Sequence, residues 1–324
     1  MPRNPLPIRP VLALTLALVH AAPLSAQYAP HFIESPAALE ARLETGRFEI
    51  RAIRDIGYRG SRSKRVTLAF GDGVVLDAKW AVAAPGGRAL NNQPQYEIGA
   101  YELQKLFLEP EDYVVPPTRL RPLPLRLYQQ LDSTAGPTFE GTSSVLVLLQ
   151  YWLPDVTYTE REVWDPAVFE RDTVYARHFA NADVLTYLIR MADANPGNLL
   201  ISTDSSVSRV FAVDNGVAWT SPDGRGTHWS ELKADRLPRE TVERLQAVTR
   251  AQLDSALAVV AQFRVDDDGR LVRAAITPKR TPHVAVEHVD GVVQLGLMDV
   301  ELENTWERLR ALLARVEAGE IGVF

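Results

Sequence analysis

The chain is 324 residues long, 46% hydrophobic and 23% charged, a balance that excludes a disordered or fibrous protein and supplies enough apolar side chains for a full core. Its 35 basic residues stand against 41 acidic ones, a formal charge of −6, which argues against nucleic acid as a partner. Cysteine is absent, so disulfides, thiolate zinc sites and cysteine nucleophiles are excluded together.

At the N-terminus, Arg3 and Arg9 precede an apolar run over 11–22, and Pro23-Leu24-Ser25-Ala26 follows. A charged region, a short apolar region and small residues in that order predict a secretory signal peptide over 1–26, cleaved to leave a periplasmic or secreted protein. The run falls short of the roughly 20 residues needed to cross a bilayer. No later stretch is long and apolar enough to do so, so no membrane span is expected in the mature chain.

Residues 27–47 read as a lead-in, with Ser35 as N-cap, Pro36 at the first helical position and a short helix closed by Gly46. Alternating and β-branched residues then predict three strands over 48–54, 65–70 and 74–82, joined as an antiparallel meander. The second connection is the tight turn Gly71-Asp72-Gly73. After a Gly-, Asn- and Pro-rich loop, Tyr96, Ala100, Leu103, Leu106 and Phe107 recur at the spacing of one helix face, with the helix ending near Pro110. A further strand pair follows, its second member the apolar run 144–149. The unit 48–153 therefore reads β-β-β-α-β-β.

Beyond Pro154 the pattern becomes helical, with candidate helices over 166–178 and 182–192. Two short strands follow, over 198–202 and 209–213, and then a mostly helical remainder whose clearest segments are 239–263 and 300–318. A strand-rich unit at 48–153 followed by a helix-rich one at 154–324 predicts an α+β protein of two lobes. Asp266-Asp267-Asp268-Gly269 lacks the ligand spacing of a calcium loop and reads as a hairpin turn. The six histidines include no i,i+4 pair, and no serine stands in a Gly-x-Ser-x-Gly elbow, which disfavours a zinc hydrolase and an α/β-hydrolase.

The stretch with the most chemistry is Asp193-Ala194-Asn195-Pro196-Gly197-Asn198, followed by Asp214-Asn215-Gly216. An acid ends a helix, an Asn opens a strand, and a second acid ends the next strand before a glycine. Phosphoryl transfer needs such a group because it depends on positioning and charge neutralisation. One carboxylate handles the proton of the acceptor hydroxyl, while an amide oxygen and a second carboxylate suit a hard divalent cation. A hairpin that starts at Asn198 and exits at Asp214 would bring both to one edge.

On these residues the chain resembles the kinase-like superfamily, and within it the atypical branch of phosphatidylinositol kinases and secretory-pathway kinases of the Golgi. The resemblance implies a bilobal kinase-like fold with a small β-rich N-lobe carrying one helix and a larger helical C-lobe. It implies ATP with Mg²⁺ or Mn²⁺ as cofactors and a hydroxyl on a protein, glycan or lipid as acceptor. Asp193 would be the catalytic acid or base, and Asn198 and Asp214 the metal ligands. Only five of the 35 basic residues are lysines, and Lys79 sits within the third strand, where the superfamily places the lysine that grips the phosphates. Glu97 would be its helical partner, with Glu102 as the second candidate. Gly57, Gly60 and Ser61 lie where a loop covers the phosphates, and Gln150 and Trp152 where the hinge between the lobes receives the base.

Three departures from the pattern stand out. Ala194 replaces the Arg that commonly follows the catalytic Asp, Met191 replaces an upstream Asn, and the loop over 57–63 is not Gly-x-Gly-x-x-Gly. They leave room for a secreted pseudokinase that binds or regulates, and a related site could also transfer a nucleotidyl group.

Overall fold

A computed structural model describes residues 31–56, 63–158, 163–191, 197–204, 208–219 and 231–324. The signal sequence, Gly57, Gly60, Ser61 and Asp193 lie outside the described residues. Among the described residues, no helix is long and apolar enough to cross a membrane.

The first helix, α1 (Pro36–Thr45), begins where the Ser35 side chain accepts the Ala38 N–H, a cap that contributes about 1 kcal/mol. It buries Leu39 and Leu43 completely, each stabilising by about 1.5–3 kcal/mol. The strands β1 (Phe48–Asp55), β2 (Lys64–Phe70) and β3 (Val75–Val82) form the expected meander. Helix α2 (Pro94–Gln104) ends sooner than its apolar spacing suggests; residues 105–108 continue in tight turns before Pro110. Strands β4 (Thr118–Pro124) and β5 (Ser144–Tyr151), with the short helix α3 (Leu125–Tyr128) between them, complete a five-stranded antiparallel sheet of order β1-β2-β3-β5-β4.

Side chains alternate across this sheet. Val66, Leu68, Ala78, Trp80, Val147 and Leu149 point to one face and pack with α1, Phe32 and Phe211. Directly paired Arg65, Lys79 and Gln150 point to the other, as do Thr67 and Asp77. A sheet buried on both sides thus carries a row of polar groups at one end of one face.

The second lobe begins with β6 (Val156–Tyr158), α4 (Pro166–Arg171) and α5 (Thr173–Leu188). The two helices divide at Asp172, whose carboxylate caps α5 by accepting from Val174 and Tyr175, so the chain breaks earlier than the apolar periodicity alone suggests. Strands β7 (Leu199–Ser202) and β8 (Val210–Ala212) form a hairpin, and β6 pairs with β7. After β9 (Arg236–Leu237), the expected single helix over 239–263 is instead α6 (Arg239–Ala247), α7 (Arg250–Leu257) and a strand, β10 (Ala261–Val265). A capping box of Thr249 and Gln252 starts α7, with Val248 extended before it.

The C-terminal region is also less helical than its sequence suggests. Strands β10, β11 (Leu271–Arg273), β12 (Val286–Val289) and β13 (Val292–Leu295) form a four-stranded antiparallel sheet before α8 (Asp299–Glu317) and β14 (Gly322–Val323), which pairs with β9. Gly269, with φ +75°, serves the hairpin turn between β10 and β11. Phe263, Leu271, Val293 and Leu295 pack against Leu120, Leu146, Leu148 of the first sheet and Ile98 of α2. The two sheets therefore enclose a core of their own beside α2.

Helix α5 is nearly all buried and carries His178 and Asp183 into the interior. Burial lowers the His178 pKa well below its ordinary 6.5, and the nearby charges of Arg209 and Arg177 act in the same direction. Burial raises the Asp183 carboxyl to about 7 although it accepts the N–H groups of Lys233 and Ala234 at 2.7 and 2.8 Å. Below pH 6.5 the unfolded state protonates the histidine while the folded state does not, so this contribution to stability is lost as pH falls. Asp183 acts with the opposite sign: its contribution is lost as pH rises through about 7. Comparison with His178→Gln isolates the first effect. The drop in Tm between pH 7 and pH 5 should be smaller in the variant, and equal slopes would refute the assignment.

Candidate functional site

Lys79 stands on β3 with its side chain only 11% exposed, and it reaches across to two carboxylates from different elements. Its Nζ donates to Glu97 Oε1 of α2 at 2.6 Å and to Asp214 Oδ1, just past β8, at 2.7 Å. The α2 carboxylate uses both oxygens, because Glu97 Oε2 accepts the backbone N–H of Asn215 at 3.0 Å. This contact follows from local backbone chemistry. Asp214 adopts φ +57°, the left-handed region that Asp tolerates better than most residues, and the turn points the next N–H at Glu97. A Cβ at Gly216 would sit 3.6 Å from Glu97 Oε1, an ordinary van der Waals distance.

Two lobes thus meet at one ammonium. Burial alone would lower the Lys79 pKa, but the Glu97 and Asp214 charges overcome it and hold the group above the ordinary lysine value. Burial pushes the Glu97 carboxyl up against the pull of Lys79, whereas the Lys79 charge holds Asp214 below the usual carboxylate range. The Asp214 side chain is 59% exposed, so its carboxylate faces open space while Glu97, at 5%, does not. One acid is enclosed with the lysine, and the other is open to solvent.

Asn198 immediately precedes β7, and its backbone oxygen accepts the Val213 N–H at 2.9 Å. The hairpin therefore brings Asn198 and Asp214 to the same end. An amide oxygen and a carboxylate oxygen form a hard donor set that fits Mg²⁺ or Mn²⁺. No group of three or more acidic or histidine side chains suited to a metal occurs among the described residues.

Glu102, the second candidate partner of Lys79, is engaged elsewhere: it accepts from Arg119 at 2.6 Å and Lys105 at 3.0 Å. Gln150 is paired across the sheet with Lys79 but donates to Thr118 Oγ1 at 2.9 Å. Trp152 follows β5, its N–H donating to the Asp77 carbonyl at 2.9 Å.

Further polar groups, not singled out by any motif, surround these. Asp77, two residues before Lys79 and so on the same face, accepts from Thr67 Oγ1 at 2.6 Å and from Arg65 Nε at 2.7 Å. The Arg65 guanidinium lies 4.8 Å from the centre of the Trp152 ring. The available signal was two charged residues at i and i+2 in a strand otherwise apolar, Leu76-Asp77-Ala78-Lys79.

No family model matches this chain, and no curated protein matches it. Among solved structures, hydra Fam20 with sugar aligns over 86% of this chain and 89% of its own, at a TM-score of 0.50 and 14% identity. The chain has a Fam20-like, kinase-like fold. That likeness extends over most of both chains. The open conformation of CtTel1 aligns at a TM-score of 0.36 and 15% identity, over 82% of this chain and 11% of its own, a likeness that carries no weight here.

Proposed function

We propose that this protein is an exported phosphotransferase that moves the γ-phosphoryl group of a nucleoside triphosphate to a hydroxyl of a protein, glycan or lipid. The observation that carries the reading is the convergence of Glu97 and Asp214, from different lobes, on the buried ammonium of Lys79. A buried Lys–Glu pair that also reaches an exposed carboxylate is costly to assemble, which supports reading it as a functional site.

In this reading Lys79 binds the phosphates and Glu97 fixes its position. Asp193, placed by its motif, takes the proton of the acceptor hydroxyl as that oxygen bonds to the γ-phosphorus. The bond from phosphorus to the bridging oxygen breaks, and the nucleoside diphosphate leaves with the electron pair. Asn198 and Asp214 would hold a divalent cation, which neutralises phosphate charge when bound. The signal-like N-terminus supports export, as does the resemblance to kinases of the secretory pathway.

The purified mature chain should show a Tm rise with ATP plus Mg²⁺ or Mn²⁺ that depends on both components, and Asp214→Ala should abolish it. No shift in the wild type, with every property unchanged in Asp214→Ala, would refute the reading. Ala194 in place of the usual Arg favours a second reading, a secreted pseudokinase. Metal-dependent binding without transfer to any of a panel of protein, glycan and lipid acceptors would select it. Product mass distinguishes phosphoryl from nucleotidyl transfer.

A further inference from the structure

The face of the first sheet that bears Lys79 continues toward Trp152 as a polar wall. Arg65 lies directly across from Lys79 on β2, and Thr67 across from Asp77. Asp77 is the hub: Arg65 contacts it through Nε at 2.7 Å and Nη2 at 2.5 Å, Thr67 at 2.6 Å, and Arg54 approaches to 3.9 Å. These contacts fix the guanidinium plane, and its other support is the half-buried indole of Trp152 at 4.8 Å. The result is a flat cationic surface beside the phosphate-binding lysine, where most ligand pockets present an apolar wall. Flat cations and indoles bind aromatic rings by stacking, which grows with ring area and does not read the edge of the base.

Reading a base by its edge requires free donors or acceptors near that wall. The two N–H groups at the end of β5 are spent within the protein, Tyr151 on the Pro117 carbonyl at 2.8 Å and Trp152 on the Asp77 carbonyl at 2.9 Å. They are not available to donate to a base.

Building on the phosphotransferase reading, we propose that the Arg65–Trp152 stack, braced by Asp77, is the base-binding wall, and that it selects purine nucleotides by ring area, accepting ATP and GTP alike. Arg65 is then a specificity-determining residue, and its planarity matters as well as its charge.

Isothermal titration of the mature chain with ATP, GTP, CTP and inorganic tripolyphosphate, each with Mg²⁺, tests this. ATP and GTP should bind within about threefold of each other and CTP about tenfold more weakly, the order that stacking area sets. Arg65→Lys keeps the charge and loses the plane; it should weaken ATP and GTP about tenfold while leaving tripolyphosphate unchanged. Arg65→Gln, with folding checked by thermal melting, should do the same and guards against a variant that fails to fold. Three results would overturn the proposal while leaving the phosphotransferase reading intact: GTP much weaker than ATP, Arg65 variants that bind all ligands like the wild type, or equal losses for ATP and tripolyphosphate. The last would make Arg65 a phosphate ligand. Failure of the wild type to bind any of the four would overturn both.

Discussion

If the proposed phosphotransferase reading holds, replacing Lys79 with methionine reduces phosphoryl transfer by about a hundred- to a thousandfold, the scale of removing one aligned electrostatic contact from an active site. The same change should destabilise the fold by about 3–5 kcal/mol, because it leaves a buried carboxylate without its cation. The asymmetry between the two partners makes the stability part specific. Asp214 is exposed and can turn to water, but Glu97 is buried with one oxygen committed to the Asn215 N–H. A second variant therefore separates the two effects. In Lys79→Met with Glu97→Met, both buried charges are gone, and most of the lost stability should return, less about 1 kcal/mol for the orphaned Asn215 N–H. Activity should not return. Urea unfolding and a phosphotransfer assay on the same preparations check this, and a double variant as unstable as the single one would show that packing, not charge, dominates at Lys79.

The contrast between what was legible in the sequence and what was not follows the range of the forces involved. The β1-β2-β3 meander is legible because strand alternation and the Gly71-Asp72-Gly73 turn are local. Lys79 stands out because a lysine within an apolar strand is unusual in a chain that otherwise uses arginine. The resemblance puts Glu97 first and Glu102 second as its partner, and the lysine does meet Glu97, while Glu102 is engaged by Arg119 and Lys105. Apolar periodicity runs across the helix breaks at Asp172 and Thr249 and hides them, although each residue caps the helix that follows. The sheet β10 to β13 is the clearest omission. Its strands are three to five residues long, and segments such as Val-Glu-His-Val have little periodicity of their own. They are strands because Phe263, Leu271, Val293 and Leu295 find a partner surface on β4 and β5, far away in the chain. The Arg65–Asp77 wall is intermediate: its residues are local to the strands, but its meaning comes from Trp152 across the sheet.

The same long-range packing makes a strong prediction at Gly99. Helix α2 carries Glu97 between the first sheet and the C-terminal elements, and three contacts tie it to the latter. Tyr96 donates its hydroxyl to Glu301 at the start of α8. The Tyr96 ring lies 5.4 Å from that of Trp219, whose Nε1 in turn donates to Thr305 of α8 at 2.8 Å. Gly99 completes the fit, since a Cβ there would stand 3.2 Å from both Leu297 Cδ1 and Trp219 Cη2. Alanine at this position gains about 0.5–1 kcal/mol of helix propensity over glycine, enough to offset most of the close contact if the two side chains give by a few tenths of an ångström. Valine adds two further carbons beside these already tight contacts, and overpacking of this kind costs about 1–3 kcal/mol. Part of that strain is relieved by moving α2 outward, which lengthens the Lys79–Glu97 contact. Gly99→Val should therefore reduce transfer at least tenfold and weaken nucleotide binding at temperatures where the variant is still fully folded, while Gly99→Ala stays near the wild type in both. Calorimetric unfolding and nucleotide titration of the two variants measure these effects independently. A valine variant that loses stability but binds and transfers normally would show that the clamp supports the fold without setting the position of Glu97.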